Sequence, residues 1–375
     1  MKNWLRPWWI VTLIAAAYLT VVVAVNNGDP MALATIGTRY SQGAPNGSEG
    51  YDGQFAYYIA RDPLNGWQQC DVPAYRYQRI LYPLLSRLLA LGQESLIPYA
   101  LPLVNLVALG MGTWLTEQIL VRYRMNRWYA VTYGLYAGQL MSVRLDLNEP
   151  LAHALVQAAI LAAERARWSE RHAPDGSGVA WATLFFTLAA LTKETTLVYV
   201  AGYLLFLLAR RHWRRLIGLA LGVGMPFLVW QAVLWSWLGS PGIGSGGAGA
   251  TGWELLPFRG LWSVGEIDLR MLGLLALVMV PLAVIPSLLS LWAAGRDLWQ
   301  GRWHPFTTML LTNALVTVFM PQSTFREPLA MLRLTTGLVT STIVYGAAKR
   351  SKRILNYTLL WLASLVFLTK EGAPP

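Results

Sequence analysis

Asp52 lies in the run Gly50-Tyr51-Asp52-Gly53-Gln54-Phe55. Flanking glycines let backbone and side chain approach a ligand closely. A carboxylate so placed can act as a general base, taking a proton from an attacking hydroxyl or amine. The same Asp-Gly pair also suits a plain turn, and both readings stay open at this point. Arg76 and Arg79 follow in Pro73-Ala74-Tyr75-Arg76-Tyr77-Gln78-Arg79-Ile80-Leu81-Tyr82-Pro83. At i and i+3 they share a helix face, and two guanidinium forks beside tyrosines make a phosphate clamp at a membrane surface. Arginines snorkelling from an interfacial helix are the alternative. Arg326 and Arg333 bracket the start of a late apolar run, where they could meet a second phosphate oxygen or balance leaving-group charge. Lys193-Glu194 is either a self-neutralising pair, or Lys193 faces an anion while Glu194 holds it.

These groups belong to a longer series: Asp52, Arg61, Asp62, Asp71, Arg76, Arg79, Arg144, Asp146, Glu149, Lys193, Glu194, Arg326, Glu327 and Arg333. The series comes from four separate connections between apolar runs, and charges near hydrocarbon are expensive unless paired or functional. Together they describe a hydrophobic body with an anionic-ligand pocket and one well-placed carboxylate. A lipid-linked phosphate donor fits that description, with its tail among the spans, its phosphate among Arg and Lys, and its transferred group near Asp52. Arg contacts that tighten as charge develops on the leaving phosphate would stabilise the transition state. The four histidines, His153, His172, His212 and His304, show no metal-ligand spacing, and the lone Cys70 excludes a disulfide framework.

The elements that must position these residues are read from charge and hydropathy. The chain is 55% hydrophobic and 13% charged, with mean hydropathy +0.40, whereas a soluble domain carries about 25% charged residues. Its basic residues cluster in every second gap between apolar runs, at Arg122/Arg124/Arg127, Arg165/Arg167/Arg171, Arg210/Arg211/Arg214/Arg215, Arg296/Arg302 and Lys349/Arg350/Lys352/Arg353. This is the positive-inside pattern of a chain that crosses a membrane many times, so the net charge of +11 is topological and not a nucleic-acid footprint. The expectation is an all-α polytopic membrane protein, a single domain over 1–375, with about eleven spans and the N-terminus inside. The spans fall at 7–25, 96–120, 128–143, 150–163, 179–191, 196–209, 216–238, 271–293, 305–320, 329–347 and 354–369.

The first run follows Lys2 and Arg6 and reads as a retained signal-anchor. Residues 26–95 form a long outward loop with short interfacial helices at 54–61 and 77–91. The outward tips at Arg144–Pro150 and Thr192–Thr195 would sink below the membrane surface between short spans. Residues 239–252 read as a flexible flap or linker within an outward loop over 239–270. Trp4, Trp8, Trp9, Trp213, Trp292, Trp299 and Trp303 sit near span ends, as interfacial belt residues do.

Tyr51-Asp52-Gly53-Gln54-Phe55, Arg61-Asp62-Pro63, and the run from Pro73 through Leu85 resemble bacterial integral-membrane glycosyltransferases of the GT-C superfamily. The likeness extends to Asp146-Leu147-Asn148-Glu149-Pro150 and Lys193-Glu194-Thr195 and covers roughly the N-terminal 200 residues. The resemblance implies inverting sugar transfer from a polyprenyl-phosphate-linked donor to a glycan, lipid or protein acceptor. The reaction would take place on the extracytoplasmic face of the bacterial inner membrane. It implies Asp52 as the base, with Tyr51, Gln54, Arg76, Arg79, Asp146, Asn148, Glu149, Lys193, Glu194, Arg326 and Arg333 around the donor phosphate and sugar. The chain has a single Asp where some members carry paired acids, so no metal or other cofactor is expected to be required, and acceptor binding falls to loops such as 239–270. Three other readings compete: a transporter or flippase for a lipid-linked intermediate, a non-catalytic membrane scaffold, and a ligase using a diphosphate-linked glycan.

Overall fold

The computed structural model describes residues 5–166 and 177–370. Lys2, Trp4, Arg167, Arg171 and His172 lie outside the described residues. The protein is all-helical, with 76% helix and no strand among the described residues. Five helical stretches are long and apolar enough to cross a membrane: Pro7–Val25, Glu94–Arg122, Trp213–Leu238, Leu269–Trp299 and Pro328–Ala348. Shorter apolar helices occupy Gly178–Thr192, Glu194–Ala209 and Pro305–Val318. A 17-residue helix, Glu149–Arg165, packs against Ile97–Arg122 and Ser177–Thr192. Pro328–Ala348 is the most enclosed of the five, while Pro7–Val25 and Trp213–Leu238 leave most of their apolar surface outward.

Several expected elements are broken, and proline explains two of the breaks. The interfacial helix expected over 77–91 is two helices, Pro73–Tyr77 and Leu81–Leu89. Pro83 has no N–H for the Arg79 carbonyl and its ring crowds that residue; the carbonyl instead lies 3.4 Å from Asn148 Nδ2. The run 271–293 is one stretch over Leu269–Trp299 that passes through a π-helical turn at Val280–Val284, which contains Pro281 and is closely followed by Pro286. The run 128–143 divides into Ala130–Gly134 and Ala137–Arg144, and 354–369 becomes a short α-helix, Lys352–Thr358, followed by the 3₁₀ segment Leu359–Lys370.

Hydrocarbon offers no partner to a backbone group that a proline has orphaned, so another side chain must supply one. Pro286 leaves the Leu282 carbonyl without its helical donor, and the indole N–H of the buried Trp361 donates to it at 2.8 Å. Pro226 frees the Gly222 carbonyl, which accepts from the Thr187 hydroxyl at 2.9 Å. A Cβ at Gly222 would collide with the Thr183 methyl, so glycine is what lets the two helices approach closely enough for that bond.

Trp361→Phe keeps the ring and deletes the donor. It should lower stability by about 1–3 kcal/mol, the cost of a buried unsatisfied carbonyl. In a Pro286→Ala background the helix supplies its own N–H and most of that cost should vanish. A double-mutant cycle of thermal unfolding in detergent measures the coupling.

Candidate functional site

Charged groups converge at one end of the helix bundle. Glu149 is the first residue of Glu149–Arg165, and Arg333 is the sixth of Pro328–Ala348, about 8 Å inside its start at 1.5 Å per residue. Lys193 and Glu194 form the turn between Ser177–Thr192 and Leu197–Ala209. Asp52 precedes the helix Gly53–Arg61, and Arg76 lies on Pro73–Tyr77. Two asparagines fasten the supports. Asn148 donates to the Thr192 carbonyl at 3.0 Å, and Asn105 donates to the Tyr82 hydroxyl at 2.8 Å and the Leu147 carbonyl at 2.9 Å. Gly53 packs so tightly on the Leu145-Asp146 turn that a Cβ would strike the Leu145 carbonyl oxygen, which fixes the backbone beside Asp52.

The innermost pair is Glu149 with two cations. Its Oε1 takes Lys193 Nζ at 2.8 Å and Arg333 Nε at 2.7 Å, and the carboxylate is fully buried. Arg333 reaches outward with Nη1 to Asp52 Oδ2 at 3.1 Å and the Tyr51 hydroxyl at 3.2 Å. Asp52 Oδ1 meets Arg76 Nη1 at 3.0 Å. Arg76 is also held by Asp71 through a bidentate pair at 2.7 and 2.8 Å. Arg79 forms a second bidentate pair with Glu194 at 2.8 and 2.6 Å and donates to the Tyr75 hydroxyl at 2.6 Å. Lys193 and Glu194 therefore do not neutralise each other; each pairs with a residue from another element. The Tyr51 hydroxyl donates to Glu327 at 2.7 Å. Arg326 is exposed and forms none of these pairs.

Asp52 occupies the residue before a helix but makes no capping hydrogen bond; both its oxygens go to guanidinium groups. Burial favours its neutral form, but Arg76, Arg333 and Arg79 outweigh that and hold its carboxyl well below the usual carboxylate range. A third of the side chain remains exposed (33%), so it can be reached from the pocket. Asp146 is the opposite case. It is buried at φ 51°, its Oδ1 has no hydrogen-bond partner, and burial pushes its carboxyl well above the usual range. Asp146 and Asp52 are thus two carboxyls pushed in opposite directions, the first up by burial and the second down by its arginines.

Asp52, Arg76, Arg79, Glu149, Lys193, Arg326 and Arg333 line one cavity of about 230 Å³. Its roof is Gly247–Ala250 from the glycine-rich segment, with Ser323, Thr324 and Glu327 along one side. Asn148 does not line this cavity; it lines a smaller pocket that shares Asp52, Arg76, Arg79 and Arg333 with it. Gln54 is turned away: its amide bridges the Gly37 N–H and the Glu49 carbonyl. Arg61 pairs with Gln69 and Asp62 caps the turn at Leu64-Asn65, both outside the cavity. The sequence places Asp71 and Glu327 in the charged series without a role of their own, and Tyr75 only among the tyrosines beside the clamp. The spacing of Asp71 to Arg76 across the helix-starting Pro73 was the available signal for the first. Nothing local marked residues 247–250 as a roof.

Beside this cavity runs an apolar groove of about 1380 Å³, between Leu81–Leu89, Ile97–Arg122, Glu149–Arg165 and Ser177–Thr192. It extends from Leu85, Leu103 and Leu151 at the charged end to Trp181 and Arg165 at the other, about 22 Å along the helix axis. Comparison of the chain with known protein families, with curated proteins and with solved structures finds no match.

The two buried carboxyls should respond differently to amidation. Glu149→Gln leaves Lys193 and Arg333 without their shared counter-charge and should cost about 3–5 kcal/mol. Asp146→Asn imitates the form the fold already favours and should cost little. A raised carboxyl pKa means that Asp146's contribution is complete below the ordinary carboxylate pKa and lost as pH rises through the raised value. Asp146→Asn should therefore flatten the decline in melting temperature as pH rises above the ordinary carboxylate pKa, measured over a pH series in detergent.

Proposed function

We propose that this protein is a GT-C-type membrane glycosyltransferase. It takes a sugar from a polyprenyl-phosphate-linked donor and passes it, with inversion, to an acceptor outside the bacterial plasma membrane. The observation that carries the reading is Asp52: an ionised, partly exposed carboxylate set between Arg76 and Arg333 in a cavity that also holds Arg326, which has no carboxylate partner among the described residues, beside an apolar groove. The donor's phosphodiester enters among Arg326, Arg76 and Arg333, and its hydrocarbon tail lies in the groove. As the phosphate draws on those guanidinium groups, Asp52 loses part of its stabilisation and becomes a stronger base. It accepts the proton of the acceptor hydroxyl. The acceptor oxygen forms a bond to the anomeric carbon, and the bond from that carbon to the phosphate oxygen breaks, its electron pair leaving on the lipid phosphate. The arginines take up the added charge, and no metal is required by this sequence of steps.

The topology that goes with this reading has about eleven spans, counting the shorter and broken helices, an inside N-terminus and the site on the outer face. Three site-bearing elements support it. Glu149, Glu194 and Arg333 stand near one end of helices whose other ends carry Arg165, Arg210-Arg211 and Lys349-Arg350. That separation matches the positive-inside rule. It also weighs against a transporter, whose binding groups would sit near mid-membrane between repeated halves.

Asp52→Asn should lower transfer from a polyprenyl-phosphate sugar in proteoliposomes by about 10²–10⁴-fold, the usual contribution of a general base. Arg326→Ala should instead raise the donor KM, with a smaller loss in kcat than Asp52→Asn causes. Mass spectrometry of lipid-linked sugars and surface glycans tests the same point in cells: identical profiles with wild-type and Asp52→Asn protein would end the enzymatic reading.

A further inference from the structure

The glycine-rich segment 239–252 is ordered against the rest of the protein at three places. At one foot, the Gly242 and Ile243 N–H groups donate to the buried Gln231 Oε1 at 2.8 and 2.9 Å. At the other, Thr251 and Ser323 exchange hydrogen bonds, backbone to side chain in both directions, at 3.1 Å. Between these feet, among the described residues, one hydrogen bond joins the strap to the chain beneath it: the Ala248 N–H donates to Asp71 Oδ2 at 2.8 Å.

Asp71 is an unusual anchor. Its two oxygens accept four hydrogen bonds, from Val72 N–H, Arg76 Nε, Arg76 Nη2 and Ala248 N–H. That fills the acceptor capacity of a carboxylate, and the same contacts, with Arg76 foremost, overcome burial to keep it ionised. Three of the four bonds stay within residues 71–76, and the two from Arg76 hold it against Asp52. Only the fourth reaches the strap.

The strap is also shaped to rest there. Gly247 sits over the Arg76 guanidinium, where a Cβ would come within 2.8 Å of Nη2. The Ala250 N–H returns to the Gly247 carbonyl at 3.0 Å, with Gly249 at φ 75° in the third position. That is a type II turn with Ala248 at its second position. Only hydrogen atoms and methyl groups project from residues 247–250, so the strap covers the cavity without side chains in the way.

We propose that residues 243–250 are a hinged lid over the cavity, latched by the single bond from Ala248 to Asp71, and that Asp71 lets the lid open without releasing Arg76. The lid opens by losing one hydrogen bond while the two from Asp71 to Arg76 keep that guanidinium on Asp52. A bulky ligand can then enter a site that is already assembled. The inference rests on the reading that this cavity is the ligand site only in naming what the lid admits.

The test deletes the latch alone. Ala248→Pro removes the N–H, and proline suits the second position of a type II turn, so the turn itself is preserved. Ala330 lines the cavity, and Ala330→Cys in a Cys70→Ala background reports opening by its rate of reaction with an impermeant maleimide. The wild-type strap should protect this cysteine relative to Asn46→Cys, an exposed position. Ala248→Pro should speed its labelling roughly 10-fold, the factor that corresponds to loss of a bond worth about 1.4 kcal/mol, while Ala248→Ser, which keeps the N–H, should not. Labelling within twofold of wild type in Ala248→Pro overturns the latch, as does a wild-type rate equal to that of Asn46→Cys. Farnesyl phosphate separates the two proposals. Failure of this probe to slow labelling, with the Ala248→Pro effect intact, would count against the ligand site and leave the lid standing.

Discussion

A carboxylate removed from water must be given positive charge and hydrogen bonds in return, and Glu149 is where that requirement is most severe. It is fully buried, and one oxygen carries both Lys193 and Arg333. Lone removal of any member would strand charge in a low-dielectric interior. The three residues come from three different helical elements, so the triad ties the turn at 193–194, the start of Glu149–Arg165 and the first turns of Pro328–Ala348 to one point. Everything nearer the surface hangs from it. Arg333 carries the connection to Asp52, Asp52 to Arg76, and Arg76 to Asp71 and the strap.

The same demand for satisfied polar groups shapes the body of the protein. Where proline interrupts a helix, a side chain from elsewhere completes the backbone, as Trp361 does for Leu282 and Thr187 for Gly222. Pro83 interrupts the stretch 77–91 as well. The break falls between Arg76, inside Pro73–Tyr77, and Arg79, just beyond it, while both still line the same cavity. The two guanidinium groups serve different carboxylates, Asp71 and Asp52 for one, Glu194 for the other.

How much of this was legible beforehand follows from range. All-helical character and apolar runs of spanning length are local properties, and the five longest helices lie where hydropathy places them. The outlying charges were visible as a set, because charge at the tips of short apolar hairpins is costly wherever those tips meet. Their pairing was not visible. Arg333 and Asp52 are 281 residues apart, and Lys193-Glu194 reads as a neighbouring pair until both partners turn out to be elsewhere. Gln54, beside Asp52 in the chain, points at the Gly37 backbone because the helix it occupies turns it away. The glycine-rich segment reads as a linker because its composition shows freedom, whereas its three attachment points depend on Gln231, Asp71 and Ser323.

One feature of the electrostatics bears on how such a site can act. The cations Arg76, Arg79, Lys193, Arg326 and Arg333 line the cavity with the carboxylates Asp52, Glu149 and Glu327, and Asp71 and Glu194, paired with Arg76 and Arg79, bring the ten groups to balance. A cavity so balanced has no strong net pull on an anion, and a carboxylate held ionised by two arginines is a weak base. Under the proposed function both properties change together when the donor phosphodiester arrives: it would share the hydrogen bonds of Arg76 and Arg333, so that Asp52 would regain basicity only in the presence of the group whose reaction needs a base. Arg326, the one cation of the ten without a carboxylate partner among the described residues, would then offset the added charge. Glu149 keeps Arg333 and Lys193 in place throughout, because its burial makes any departure from them far more costly than the surface rearrangement above it.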